Sequence, residues 1–321
     1  MQLIRFLGSS EPEIGVVEGR RVIGARRALR RLAQIDGRLG PFEQLYDLAS
    51  TQPKVALALG PLFVDALAEA VARDDGAAIV TDKGLGELRV LPFVPDPEKV
   101  FGIGYNYKEL CDHEKHEYPP KPLIFAKMPS CIAGAYDDID VTPAVDLVDF
   151  ESELCVVIGR TARRVRAAEA LDHVGGYTVM NELSAKILPR PTTPGKTETV
   201  PQKAVDDFGP LGPTVITPDE IGDPSRLRMV ARVNGEERQN FPTSDMVHGV
   251  EALIEHISSI ITLRPGDMIA TGTSVGCGIV ERPPRLLNDG DVVDCEIVGY
   301  PGCRNAIKIP AQRAKRSSAA A

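Results

Sequence analysis

The chain has 321 residues, of which 43% are hydrophobic and 26% are charged, so it is long enough for one large or two smaller globular domains. Its formal net charge of −8 argues against nucleic acid as a partner. The longest apolar runs are far shorter than a membrane span, and the first residues do not resemble a secretory signal, so we expect a cytoplasmic protein with no membrane partner.

Residues 1–95 are predicted to form a small N-terminal α+β domain. Pro92, Pro95 and Pro97 mark its end, because proline cannot continue a helix or a central strand. Hydrophobic periodicity predicts the elements inside it. Strands are expected at residues 3–6, 14–18 and 21–23, and helices near residues 25–34 and 62–73.

Residues 96–310 are predicted to form a mainly β domain with helices on its outside, which makes the whole chain α+β. Turns rich in Gly, Pro, Asp and Asn precede its short apolar runs, as they precede strands. The clearest strands are 268–271 and 292–298, and the clearest helices are 167–173 and 246–261. Residues 311–321 have nothing to bury and are predicted to be a disordered tail.

Glu151 and Glu153 lie one residue apart, immediately before the apolar run 154–158. In a strand the side chains of residues i and i+2 point to the same face, so the two carboxylates converge. Like charges at the edge of a core repel unless a cation or a shared proton lies between them, which makes a metal site the first hypothesis. The same pattern also occurs on the solvated face of an ordinary strand, and the pair alone does not separate these alternatives.

A third acid, Glu182, ends the apolar stretch 175–181 about thirty residues later. Three carboxylates with open positions suit a hard cation such as Mg²⁺ or Mn²⁺. The six cysteines lack the spacing of structural zinc sites, which predicts free, mostly buried thiols. Lys203 and the Gly-rich loop 271–278 follow, and a lysine can polarise a carbonyl group while free N–H groups can bind a carboxylate. The alternative interpretation of Lys203 is an ordinary solvated lysine, and that of the loop is an ordinary turn.

A series of motifs, in this order, resembles the fumarylacetoacetate hydrolase family over residues 97–308, about two thirds of the chain. The sequence contains no dinucleotide-binding fingerprint, nucleophile elbow or Walker loop that would favour another assignment. The matching motifs are residues 104–107 (GYNY), 122–127 (PLIFAK), 149–154 (DFESEL), 176–178 (GYT), Lys203, 209–213 (GPLGP), 233–236 (VNGE), 262–267 (TLRPGD) and 271–273 (TGT).

The resemblance implies a mixed β-sandwich roll that usually forms a homodimer and holds Mg²⁺ or Mn²⁺ on three carboxylates. By position, the metal ligands would be Glu151, Glu153 and Glu182, and Lys203 would be a catalytic contact to the substrate or the metal. Family members act on small 2-oxo acids and β-dicarbonyl compounds, whose chelation lets the cation stabilise an enolate. The implied substrate-binding residues are Tyr105, Lys186, Gly272 and Thr273.

The chain departs from the family at the residues that activate water. Hydrolases of the family usually have His four residues after the Asn of the Asn-Tyr motif, followed by Glu; these positions hold Leu110 and His113 here. A displaced catalytic base is therefore predicted among His113, Glu114, His116 and Glu117, unless residues 112–117 form a charged lid or the water-activating step is absent. His113 and Glu114 are assigned to the site, and His113 is preferred because it falls at the second position of the family's pair. Two further positions differ from the family: Glu182 (usually Asp) and Lys186 (usually Arg).

Together these features predict an enzyme that uses a divalent cation to form an enolate from a small 2-oxo acid or β-dicarbonyl substrate. Hydrolysis of a C–C bond is the nominal reaction, because it is the commonest activity of the family. The first alternative is decarboxylation, isomerisation or dehydration, none of which needs a water-activating histidine. The second alternative is a degenerate homologue without catalytic activity.

Overall fold

The computed structural model describes residues 1–36, 42–186 and 199–310. Over these ranges the chain forms mixed β-sheets with helices on their outside, which confirms the predicted α+β class. The predicted disordered tail, residues 311–321, lies outside the described residues.

The strands are short, and turns that often contain Gly, Pro, Asp or Asn separate them. In chain order they are β1 (Gln2–Leu7), β2 (Pro12–Glu18), β3 (Arg21–Gly24), β4 (Ile79–Thr81), β5 (Val90–Leu91), β6 (Val100–Gly104), β7 (Leu123–Lys127), β8 (Ile132–Ala133), β9 (Ile139–Asp140), β10 (Leu147–Asp149), β11 (Ser152–Ile158), β12 (Val174–Asn181), β13 (Ser184–Lys186), β14 (Gly209–Pro210), β15 (Thr214–Ile216), β16 (Arg228–Val233), β17 (Glu236–Pro242), β18 (Met268–Ala270), β19 (Val292–Ile297) and β20 (Cys303–Lys308).

Most helices of the described residues span only one or two turns. The helix at residues 250–260 is longer because its buried Val250, Leu253, Ile254 and Ile257 recur at helical spacing and face the core. The helices are α1 (Ala25–Ile35), α2 (Glu43–Ala49), α3 (Pro53–Leu59), α4 (Pro61–Ala72), α5 (Lys108–Glu114), α6 (Ala167–Ala170), α7 (Thr199–Lys203), α8 (Pro218–Ile221) and α9 (Val250–Ile260).

One large sheet carries β11 and β12 at its centre. These two strands pair antiparallel from Ser152↔Asn181 onward, with β18 beside β11 and β15 beside β12. Most pairs are antiparallel, but β18 and β6 run parallel, so the sheet is mixed. The strand order is β4-β3-β2-β1-β15-β12-β11-β18-β6-β7, with β5 added to β1.

A second sheet, in the order β17-β16-β19-β20-β9, packs with the large one around a common core. Leu154 and Val156 of β11 share this core with Ala231 of β16 and with Val293 and Cys295 of β19. Alternating inward side chains from two sheets are the usual way to fill a sandwich. Strand β11 therefore lies between two apolar layers, and polar residues occupy its N-terminal end.

The N-terminal strands extend the large sheet. Strand β1 pairs antiparallel with β15, with Leu3 opposite Val215. Buried residues of the N-terminal region, among them Ile14 and Phe63, belong to the same core cluster as Val157 and Met268. Residues 1–95 therefore share a sheet and a core with the rest of the chain, and the predicted domain boundary near residue 95 stays a prediction.

One local prediction differs from the structure, and one helix was not predicted. The helix expected over residues 246–261 begins at Val250, because the N–H groups of Val247 and His248 donate to the backbone and side-chain oxygens of Asn106 instead. Helix α5, which no hydrophobic period indicates, begins at Lys108, two residues after Asn106. The Asn106 side chain also donates to Thr271 O, at 2.8 Å. It therefore connects its own segment by hydrogen bonds to the segments of His248 and Thr271.

All six cysteines are free and buried, as predicted. In the described part of the chain, no single helix is long and apolar enough to cross a membrane; α3 and α4 pass such a test only as a pair, bent by 100°. Ala56 and Leu57 of α3 and Phe63 and Leu67 of α4 are buried in the protein core.

Candidate metal centre and active-site cavity

The three glutamates predicted as metal ligands meet at one end of the β11–β12 pair. Glu151 immediately precedes β11, Glu153 is its second residue, and Glu182 immediately follows β12. Because the two strands are antiparallel, the start of one lies beside the end of the other. The N–H group of Glu182 donates to the backbone oxygen of Glu151, at 2.7 Å, and holds the two ends together.

One carboxylate oxygen from each of Glu151, Glu153 and Glu182 can be chosen so that all three lie within 4.8 Å of one another. Glu153 and Glu182 are buried, and Glu151 is partly exposed. Carboxylate oxygens are the donors that hard divalent cations prefer, and three of them leave positions for water or a chelating substrate. The donor set therefore fits Mg²⁺ or Mn²⁺, as the sequence predicts.

Three lysines surround this carboxylate cluster. Lys203 Nζ donates to Glu151 Oε2, at 3.1 Å, to Glu182 Oε2 and to Ser184 Oγ. Lys186 Nζ donates to Glu151 Oε1, at 2.8 Å. Positive charge at this short range offsets much of the repulsion among the acids.

The third lysine, Lys127, is not among the residues that the sequence predicts for the site. Its ammonium group donates to Glu182 Oε1, and both side chains are fully buried. Lys127 ends the motif at residues 122–127, and a lysine at the end of an apolar strand is the one signal that points to it. Glu182 is thus paired with Lys127 on one oxygen and with Lys203 on the other.

Glu151 and Glu153 have pKa values that are shifted in opposite directions. Burial raises the pKa of Glu153 well above its usual range, and Glu182 and Glu151 raise it further. Lys203 and the backbone N–H of Gly272, at 2.8 Å, oppose this shift only in part. Burial also acts to raise the pKa of Glu151, but Lys186 and Lys203 lower it well below the usual range. Glu153 is therefore the carboxylate whose negative charge a bound cation would stabilise most.

The Lys203→Met variant is expected to bind Mg²⁺ or Mn²⁺ about tenfold more tightly, because the ammonium group competes with the cation for Glu151 and Glu182. Turnover is expected to fall about 100-fold, since the variant loses a polar group that contacts the cavity. Titration calorimetry and steady-state assays measure the two effects. Lys308→Met, which removes an exposed lysine 3.6 Å from Asp138, serves as the control. Weaker metal binding by Lys203→Met would show that Lys203 supports the cation instead of competing with it.

A cavity of about 360 Å³ opens beside the carboxylate cluster. Its polar lining includes Glu151, Lys186 and Lys203, and Leu110 forms part of its apolar wall. The cluster and the cavity together have the composition of a small-molecule site, in which a few polar groups orient a ligand held by apolar surfaces. The lining residues are Ile103, Gly104, Tyr105, Leu110, Glu114, Phe125, Glu151, Lys186, Gln202, Lys203, Thr273, Cys277, Ile279 and Val280.

Of the predicted substrate-binding residues, Tyr105, Lys186 and Thr273 line the cavity. Thr273 Oγ1 donates to Ser152 O, at 2.9 Å, so in this arrangement its hydroxyl has no proton left for a substrate carboxylate. Gly272 contributes by its backbone N–H, which donates to Glu153. Its φ of +95° and the 2.9 Å that would separate an added Cβ from Ile103 O leave room only for glycine.

The two candidate catalytic bases occupy different places. Glu114 lines the cavity, and its Oε1 accepts from Arg282 Nη2 at 3.2 Å. His113 is not among the lining residues; its Nε2 lies 3.2 Å from Val280 O. Leu110, at the position of the family histidine, is 9% exposed and faces the cavity. The structure therefore places Glu114, and not His113, in the lining of the cavity that Glu151 of the carboxylate cluster also lines.

Asp149, the first residue of the glutamate motif, is a further contributor that the sequence does not single out. It is fully buried and accepts from the N–H groups of Gly278, at 2.6 Å, and Ile279, at 3.0 Å. Lys186 Nζ lies 3.8 Å from its Oδ2. Asp149 thereby joins the turn at residues 277–280, which lines the cavity, to the base of the carboxylate cluster.

Comparisons with known proteins identify the family of the chain. The family model for the C-terminal domain of fumarylacetoacetate (FAA) hydrolase matches residues 99–308. The chain is 41% identical over 211 residues to the bovine (Bos taurus) protein named oxaloacetate tautomerase FAHD2A, mitochondrial, a match that covers 66% of this chain and 67% of the relative. The corresponding human protein is 40% identical over 211 residues, with the same coverage.

Solved structures extend the similarity to almost the whole chain. A fumarylacetoacetate hydrolase from Exiguobacterium antarcticum matches with a TM-score of 0.76 and 28% identity, covering 97% of this chain and 100% of the neighbour. A maleylpyruvate hydrolase from Sphingobium, solved with manganese (II) ion and pyruvate, matches with a TM-score of 0.71 and 27% identity, covering 96% and 99%. The predicted fold is thus confirmed, and the chain belongs to the fumarylacetoacetate hydrolase family.

Proposed function

We propose that this protein is a divalent-cation-dependent tautomerase, which interconverts the keto and enol forms of a small 2-oxo acid such as oxaloacetate. The observation that carries the proposal is the apolar side chain of Leu110 in the cavity wall, where hydrolases of the family place a water-activating histidine. Among the described residues, no histidine lines the cavity. A keto–enol interconversion moves one proton and needs no attacking water.

The carboxylate cluster supports the dependence on a cation. Glu151, Glu153 and Glu182 would hold Mg²⁺ or Mn²⁺, with the cavity open to a bidentate ligand. When bound, such a cation polarises the 2-oxo group of a chelating substrate and lowers the energy of negative charge on its oxygen. The manganese (II) ion and pyruvate in the maleylpyruvate hydrolase neighbour are in keeping with this choice of metal and of substrate class.

The residues of the chain itself supply binding and orientation. Lys186 and Lys203 place positive charge on the cavity wall, which favours an anionic substrate. Leu110, Ile279 and Val280 form an apolar surface, which excludes water from the reacting carbon and strengthens electrostatic contacts inside the cavity.

The test is an assay of oxaloacetate in the presence of Mg²⁺ or Mn²⁺, with ultraviolet absorption of the enol as the readout. The protein is expected to accelerate the approach to keto–enol equilibrium, and a chelator is expected to return the rate to the background value. Acetylpyruvate, which tests C–C hydrolysis, is expected to remain intact. Rapid cleavage of acetylpyruvate without an effect on oxaloacetate tautomers would overturn the proposal.

Hydrolysis of a C–C bond is the second candidate, and the carboxylate of Glu114 in the cavity favours it, because a carboxylate can also activate water. The similarity to a maleylpyruvate hydrolase is in keeping with this reaction. The same two substrates separate the candidates, and release of CO₂ from oxaloacetate reports decarboxylation. A protein with no activity whose melting temperature does not respond to either cation would instead be a non-catalytic homologue.

A further inference from the structure

We propose that Glu114 is the catalytic group that carries the proton between carbon and oxygen, and that Arg282 is its positioning residue. This inference rests on the proposed function, because it assigns the proton transfer of the same site. Glu114 is not at either position of the family's water-activating pair, which Leu110 and His113 occupy. The assignment comes from the way in which helix α5 and the turn at residues 277–280 close the cavity.

Helix α5 presents Leu110 and Glu114 to the cavity together. The two residues are four apart, so they lie one above the other on one face of the helix. Both line the cavity that also contains Glu151 and Lys203. The carboxylate of Glu114 is thus displaced by one helical turn from the position of the family histidine, but it faces the same space.

Arg282 holds this carboxylate in place. Its Nη1 donates to the backbone oxygens of Ile279, Val280 and Glu281, at 3.2, 3.0 and 3.0 Å, and its Nη2 donates to Glu114 Oε1. A guanidinium group fixed by three carbonyls is a rigid support for a carboxylate. The arginine side chain is 62% exposed, so the ion pair with Glu114 adds little to the free energy of unfolding. We therefore assign the pair the role of orienting the Glu114 carboxylate.

The other polar groups of the cavity are poorly suited to accept a proton from carbon. Lys203 donates to Glu151, Glu182 and Ser184, and an ammonium group has no acceptor atom for a further proton. Burial raises the pKa of the Cys277 thiol well above its usual range, so no thiolate forms near neutral pH. Glu151 is needed as a cation ligand.

The proposed step balances as a proton shift within one substrate molecule. The C3–H bond breaks, and its proton moves to a carboxylate oxygen of Glu114. The electron pair of that bond forms the C2=C3 double bond, and the π pair of the C2=O group moves to oxygen. The Glu114 carboxylic acid then gives the proton to this oxygen, which completes the enol and restores the carboxylate; the reverse sequence regenerates the keto form.

The probe for this step is exchange of the methyl hydrogens of pyruvate with D₂O, followed by proton NMR with Mg²⁺ present. The Glu114→Gln variant is expected to exchange at least about 100-fold more slowly at saturating pyruvate, with KM and calorimetric Mg²⁺ affinity unchanged. Glu114→Asp, which keeps the carboxylate but shortens it, is expected to lose less. Arg282→Gln is expected to lower the maximal exchange rate about tenfold without a change in KM.

The matched control is Arg232→Gln, because Arg232 also pairs with a glutamate, Glu296, and neither residue lines the cavity. Its exchange rate is expected to equal that of the unmodified protein.

If Glu114→Gln exchanges at the full rate, or if His113→Ala loses exchange while Glu114→Gln keeps it, the assignment of Glu114 is wrong and the proposed function stands. An Arg282→Gln rate equal to the control would overturn the role of Arg282. Absence of exchange in the unmodified protein would overturn the proposed function and this inference together.

Discussion

Replacement of Glu153 by glutamine is expected to abolish the response of the protein to Mg²⁺ or Mn²⁺ and to reduce turnover about 10³-fold, because several kcal/mol of transition-state stabilisation come from a bound cation. The metal-free variant is expected to melt at a higher temperature than the unmodified protein. Folding raises the pKa of Glu153, so at neutral pH this carboxyl group destabilises the folded state, and a neutral amide of the same shape does not. Calorimetric unfolding with and without cation measures both effects.

The control is Glu151→Gln, which is also expected to lose the response to the cation but to melt at a lower temperature. Lys186 and Lys203 lower the pKa of Glu151, so its charge stabilises the fold at neutral pH. Removal of that charge leaves the two partly buried ammonium groups of Lys186 and Lys203 with fewer partners. The three-carboxylate site would be contradicted if Glu153→Gln kept the affinity of the unmodified protein for the cation.

The Lys127→Met variant is expected to lose about 3 kcal/mol of unfolding free energy, because it removes one partner of a fully buried ion pair and leaves Lys203 alone to offset the charge of Glu182. This loss is a large fraction of the total stability of a typical domain. Urea unfolding at constant pH, with no divalent cation added, measures the difference.

The double variant Lys127→Met/Glu182→Gln is expected to regain much of this stability, since it removes both charges of the pair. Lys308→Met, whose lysine pairs with Asp138 on the surface, is expected to lose about 1 kcal/mol or less. Equal effects of Lys127→Met and Lys308→Met would mean that the buried pair contributes no more than a surface one.

The large elements are predictable from the sequence because their signals are local. Val250, Leu253, Ile254 and Ile257 recur at helical spacing, and the turns before β18 and β19 are rich in Gly, Pro, Asp and Asn. The convergence of Glu151 and Glu153 follows from the two-residue period of a strand. The position of Glu182 at the end of an apolar stretch suggests a third ligand, but its convergence with the pair depends on the pairing of β11 with β12, which no local signal marks.

The rest of the site depends on contacts between residues far apart in the chain. Lys127 meets Glu182 across 55 positions, and Asp149 meets Gly278 across 129, so no sequence period marks either contact. The short helix α5 is specified by its place beside Asn106, and its orientation decides that Glu114 and not His113 lines the cavity. The homodimer and the cytoplasmic location stay predictions.

The pairing of β1 with β15 has a consequence for the behaviour of the chain in a crowded solution. Without β1, strand β15 would end the large sheet and present unpaired backbone groups next to β12, which leads directly to Glu182. An open edge of this kind is a template for association with strands of other molecules. The N-terminal strands therefore shield the scaffold of the carboxylate cluster from aggregation, although no residue before Ile103 lines the cavity in the described part of the chain.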